Sequence, residues 1–144
     1  MLPKLDFILD PSLMLYLPLY QLDGASFPSR DRFGHLSVVT GALWTPQGRS
    51  FDGIDDGIDC GASASLLCSY VTIMCWVKWT TLPGGTVVDE IAGNEGTNLG
   101  YLINFSEATD ALGFSAYIAA GWRGASETFL PTAGIWYHLV GTFD

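Results

Sequence analysis

Alternation is the dominant pattern along the chain. In VTIMCWVKWT (Val71–Thr80), Val71, Ile73, Cys75, Val77 and Trp79 share one parity, and Thr72, Met74, Trp76 and Lys78 share the other. That period of two is the mark of a strand with one buried face. Leu112, Phe114, Ala116 and Ile118 make a second such face within Ala111–Ala119. Shorter strand-like segments are Leu13–Tyr20, His35–Thr40, Thr86–Ala92, Tyr101–Phe105, Glu127–Leu130 and Ile135–Phe143. Pro18 marks the first of these as an edge or a bulge. Nowhere do apolar residues hold a helical spacing over three turns without Gly or Pro. The connections LPGG, GNEGTN, SEATD and LPTAG are rich in turn formers. The pattern predicts an all-β fold, an antiparallel β-sandwich of many short strands.

Composition narrows the class. The 144 residues suit a single domain. Charged residues are 15% of the chain and hydrophobic ones 49%, which excludes intrinsic disorder. The mean hydropathy of +0.29 implies Gly/Ser/Thr-rich loops or a surface partly covered by something other than water. Net charge is −9. Lys4, Arg30, Arg32, Arg49, Lys78 and Arg123 form no run or stripe, so nucleic acid is excluded as a partner, and an anionic membrane surface is disfavoured. Residues 60–77 carry no charge, but Gly61, Ser63, Ser65 and Ser69 make the first half polar. That reads as a loop entering a buried strand and not as membrane insertion. Asp6 and Asp10 interrupt the N-terminal apolar residues, so no signal peptide is visible. Three cysteines cannot close a disulfide framework. Cys75 reads as a buried thiol, and Cys60 and Cys68 could pair only in an oxidising compartment.

Three stretches in order carry a resemblance: FDGIDDGIDCG (51–61), VTIMCWVKW (71–79) and GIWYHLVGTFD (134–144). Together they resemble laminin-G-like, concanavalin A-like jelly rolls: a turn leading into a strand, a Trp-bearing strand, and a Gly-x-Trp-x-His strand ending Gly-Thr-aromatic-Asp. LMLYLPLY resembles the opening strand of such domains. The resemblance implies one jelly-roll domain over 1–144 that lacks the family's C-terminal strands, with open edges completed by another chain. It implies a non-catalytic recognition or adhesion module for carbohydrate, a glycoconjugate or a cell surface, in an extracellular, cell-surface or virion setting. The alternative is a structural subunit of fibre, virion or surface-layer type that self-associates as a homo-oligomer through those edges.

A helix–loop–helix calcium site needs a different acid spacing and a Glu at position twelve. Strand alternation puts Asp56 and Asp59 on opposite faces, so the four acids of DGIDDGID cannot share one ion. Any calcium would be a single loop site on Asp55 and Asp56, as the resemblance allows. The simpler expectation is a turn at Asp52-Gly53, with Phe51 and Ile58 anchoring the core. Glu90 and Glu95 invite comparison with retaining glycosidases, whose two carboxylates lie roughly 5 Å apart. Ala92 replaces the acid expected between them, Gly93-Asn94 should break the strand, and without a bulge the two fall on opposite faces. No catalytic residue is assigned, and the chain reads as no enzyme. His138 reads as a strand histidine bonded to a neighbouring loop. Trp76 and Trp136 belong to the core motifs. Trp122, in the turn-rich AAGWRGAS, should be exposed and is the leading ligand contact, with Arg123 and Tyr101 beside it. Sugar sites present flat aromatic faces to C–H groups and polar side chains to hydroxyls.

Overall fold

Eleven strands are seen in the computed structural model, which describes residues 7–81, 88–95, 100–118 and 121–144. The chain divides into two compact units, Met1–Leu66 and Leu67–Asp144. The first holds β1 (Ser26–Pro28), β2 (Leu36–Thr40), β3 (Leu43–Thr45), β4 (Gly48–Ser50) and β5 (Gly57–Asp59). The second holds β6 (Val71–Val77), β7 (Val88–Glu95), β8 (Gly100–Ser106), β9 (Ala111–Ile118), β10 (Gly121–Thr128) and β11 (Tyr137–Phe143). All strand pairs are antiparallel.

In the first unit β1, β2 and β5 form one sheet, and β3 and β4 form a hairpin. Arg49 ties this unit together. Its guanidinium donates to the carbonyls of Ala42 (3.1 Å), Leu22 (3.2 Å) and Gly24 (2.9 Å), and lies over the Phe27 ring at 5.5 Å. Those carbonyls belong to irregular chain that no strand ladder satisfies, so a forked cation supplies the donors.

The expected strand Leu13–Tyr20 is not formed; these residues are irregular and end in a turn. The N–H of Tyr16 donates to the Asp31 carboxylate (2.9 Å), and its carbonyl accepts from Arg30 N–H (2.9 Å). Pro18 has no N–H to give, and its carbonyl starts the turn by accepting from Gln21 N–H (2.7 Å). Asp31 also accepts from Phe33 N–H (2.8 Å). Burial works against charge on Asp31, yet the hydrogen bonds it accepts outweigh that and hold its pKa below the usual carboxylate value.

The second unit contains two sheets, β7-β8-β9-β10 in chain order and the pair β6-β11. They face each other. Gly141 of β11 sits against the Phe114 ring of β9, where any Cβ would collide with it. Ile103, Phe105, Ala116 and Leu139 are buried in this layer. Trp79 meets Phe105 at 5.8 Å, Phe129 at 5.9 Å and Tyr137 at 6.0 Å, which closes one end with aromatic rings. The β6 alternation follows the expected faces, with Val71, Ile73, Cys75 and Val77 half-buried and Thr72, Met74 and Trp76 exposed. Trp76 therefore corrects its assignment to the core: it is 66% exposed. Its ring stacks on His138 at 4.8 Å, the neighbour directly across from it on β11. Trp136 is also exposed and carries Lys78 over its ring at 5.0 Å.

Two further boundaries differ from expectation. β10 begins at Gly121, well before Glu127. Its Gly, Ala and Ser residues carry little strand propensity, and pairing along all of β9 overrides it. β7 runs on through Gly93 and Asn94 to Glu95, because β8 pairs with it throughout, with a register shift between Glu90 and Ala92. The connections 82–87, 96–99 and 119–120 lie outside the described residues, and with them the expected strand ends Thr86, Val87 and Ala119.

Candidate functional site

The register of the four-stranded sheet decides which side chains meet. Asn104 pairs with Gly113 and Leu102 with Ser115 between β8 and β9. Gly113 pairs with Ser126, Ser115 with Gly124 and Tyr117 with Trp122 between β9 and β10. Directly opposed residues in a sheet share a face. One face therefore carries Asn104, Ser106, Ser115, Ser126 and Trp122, and the other carries Ile103, Phe105, Phe114 and Ala116. The first set lines a groove of about 310 Å³.

Glycines shape the groove floor. A Cβ at Gly113 would lie 2.5 Å from Asn104 Oδ1, and one at Gly124 would collide with Ser115 Oγ and the Phe114 carbonyl. The amide and the hydroxyl thus lie flat across the neighbouring strands. Trp122 stands at one end, 40% exposed, with its ring met edge-on by Tyr117 at 5.6 Å and 75°. The result is an aromatic plane beside neutral donors and acceptors. Among the described residues, the groove lining includes no carboxylate, thiol or imidazole.

Trp122, Arg123 and Tyr101 do not converge. Arg123 pairs with Ala116, and Ala116 with Tyr101. These two therefore share a row on the inward side, and strand alternation turns Arg123 away from the groove that Trp122 enters. Asn104, Ser115 and Ser126 join Trp122 at the groove without belonging to any sequence motif for sugar binding. The parity of Ala111, Gly113 and Ser115, opposite the apolar face of the same strand, was the signal that could have found them.

The acidic stretch folds as a turn. Asp52 Oδ1 accepts from Ile54 N–H at 2.9 Å, and Gly53 takes φ +77°, which favours glycine. Asp56 Oδ2 accepts from Asp52 N–H at 2.8 Å, and its other oxygen lies over Gly41. Asp52, Asp55 and Asp56 bring carboxylate oxygens within 4.8 Å of one another, so Asp52 joins the expected pair. Such donors suit a hard cation such as calcium. Two of the three carboxylates also hold the loop themselves. Asp59 is engaged elsewhere, accepting from Gly61 N–H at 2.8 Å. Phe51 does not anchor the core; it is 47% exposed.

Glu90 lies across from Asn104 and is exposed. The register shift after it changes strand parity, so spacing alone no longer separates positions 90 and 95. Only the backbone of Glu95 is described. The three cysteines are free thiols. Burial pushes the Cys60 and Cys75 thiols above their ordinary pKa, which leaves them poor nucleophiles.

Two antiparallel sheets packed face to face, with a polar groove on the outward side of one, define a β-sandwich of the lectin-like jelly-roll class. The family model described as the concanavalin A-like lectin/glucanases superfamily matches residues 52–144, and the chain belongs to that family. No curated protein and no solved structure matches the chain. Membership is compatible with a non-catalytic binding module. Laminin-G-like domains are commonly extracellular. Among the described residues, no helix is long and apolar enough to cross a membrane.

Proposed function

We infer that the protein is a non-catalytic carbohydrate-recognition module of an extracellular, cell-surface or viral structure, and that the β8–β10 groove is its binding site. We also take both units as parts of one domain, since the family match starts within the first at Asp52 and runs through the second. The observation that carries the reading is Trp122 standing beside the Asn104 amide and the Ser106, Ser115 and Ser126 hydroxyls. A sugar offers C–H groups to an aromatic face and hydroxyls to such side chains. Glycoside hydrolysis needs a general acid and a second carboxylate roughly 5 Å away in a retaining site, or about 6.5–9.5 Å away in an inverting one. Among the described residues the groove's lining includes neither, and Glu90, across from Asn104 on the same face, stands outside that lining.

Binding to an array of neutral and acidic glycans tests this directly. Trp122→Ala is expected to weaken any glycan bound by about tenfold or more. Trp136→Ala, which removes an exposed ring that is not part of the groove lining, should leave binding unchanged. Binding to no glycan, or binding indifferent to Trp122→Ala, would remove the reading. A second reading, an assembly subunit that associates with copies of itself, is supported by the exposed eight-residue edge strand β10.

A further inference from the structure

Among the described residues, β10 pairs only with β9, so its other edge is an open ladder. It is eight residues long, its residues from Trp122 to Thr128 are all exposed, and it contains no Pro. Soluble proteins normally blunt such an edge with a bulge, a proline or lysines. The pairing with β9 is uninterrupted and bulge-free. Its two charges, Arg123 and Glu127, are of opposite sign and share one face of the sheet.

Two copies joining antiparallel strands into one sheet are related by a two-fold axis perpendicular to it. Directly opposed residues must then share a face. For a strand running from Gly121 to Thr128, two such registers give the greatest overlap. One is centred on Gly124 and puts Arg123 opposite Ala125 and Glu127 opposite Gly121. The other is centred on Ala125 and puts Arg123 opposite Glu127 twice, once on each side of the axis. It also puts Trp122 opposite Thr128 and Gly124 opposite Ser126. Directly opposed opposite charges favour pairing and like charges oppose it.

We propose that β10 pairs with β10 of a second copy in the register centred on Ala125, joined by two reciprocal Arg123–Glu127 pairs. This rests on the assembly reading and is independent of what the groove binds. The second copy fits because the edge is self-complementary in charge. The pairing makes one eight-stranded sheet and brings both grooves to the same face, with Trp122 and Gly124 of each copy close to the new seam. A multivalent glycan could then engage both sites.

A charge-reversal cycle on the full chain tests this, with dissociation constants from sedimentation velocity across a concentration series. Arg123→Glu alone and Glu127→Arg alone should each weaken association by roughly tenfold, since both pairs turn repulsive at once. The double reversal should recover most of the original affinity, and raised salt should weaken the original protein more than either single variant. Both side chains are exposed, so thermal melts should show all three variants folded. Association untouched by the single reversals, or not restored in the double variant, would overturn the register while leaving assembly intact. A monomer at every concentration would overturn both.

Discussion

On the inner face of the β7–β10 sheet, Phe105 is 2% exposed and meets Trp79 across the layer at 5.8 Å. On the outer face of the same strand, its neighbours Asn104 and Ser106 line an open groove. The same division runs through β9, where Phe114 faces Gly141 of the opposing sheet and Gly113 lies under the Asn104 amide. One step along a strand separates a residue that holds the sandwich together from one that presents chemistry to solvent. A large side chain is needed on one face and a small one on the other, for opposite reasons. Inside, volume fills the layer. Outside, missing volume is what makes a groove.

Emptying the inner face should do the most damage. Phe105→Ala should destabilise the second unit by about 3–5 kcal/mol, read as a large drop in denaturant midpoint. A change below about 1 kcal/mol would mean that the aromatic cluster of Trp79, Phe129 and Tyr137 does not depend on it. Filling the inner face should also cost stability. At Gly141 a Cβ has no room beside the Phe114 ring, so Gly141→Ala is expected to cost about 1–3 kcal/mol. It should leave glycan binding per folded molecule unchanged.

How much of this was legible follows the same division. The inner face could be read from alternation, because Leu112, Phe114 and Ala116 announce themselves by hydrophobicity. The outer face could not. Gly113, Ser115, Gly124 and Ser126 look like loop residues, and AAGWRGAS reads as a turn until its pairing with β9 is known. Register is a long-range property, and local propensity carries little information about it. The Glu90 bulge was hidden for that reason. Trp76 and Trp136 misled in the other direction: large rings suggest burial, yet both lie exposed, one stacked on His138 and one under Lys78.

The first unit provides a contrast of a different kind, since a charge holds its irregular chain where the second unit uses apolar packing. The pKa of Asp31 is lowered from 3.8 in the fold. Its stabilising contribution is therefore complete above the unfolded value and is lost as pH falls through the lower folded one. Protection factors of the Tyr16 and Phe33 amides, referred to the slower intrinsic exchange in acid, should fall on acidification below about pH 4. Amides of Phe105 and Phe114, which lie within the strand ladders, should hold. In Asp31→Asn the acid-dependent part at Tyr16 and Phe33 should vanish, at a cost of about 1 kcal/mol at neutral pH. An unchanged pH profile in that variant would show that another group controls this segment.

The finest test uses a substitution that separates the faces within a single residue. At Gly113 the nearest atom to an added Cβ is Asn104 Oδ1, the end of a movable side chain. Gly113→Ala should therefore cost well under 1 kcal/mol, and the lower backbone entropy of the unfolded chain would offset part of that. Its effect falls on the groove, because the displaced amide can no longer lie across the floor. Glycan affinity should drop several-fold while the melting temperature barely moves. The same change in affinity accompanied by a large loss of stability would mean that the outer face is structural after all. Unchanged affinity would mean that Asn104 is not among the groups that read the sugar, leaving Trp122 and the serine hydroxyls to do so.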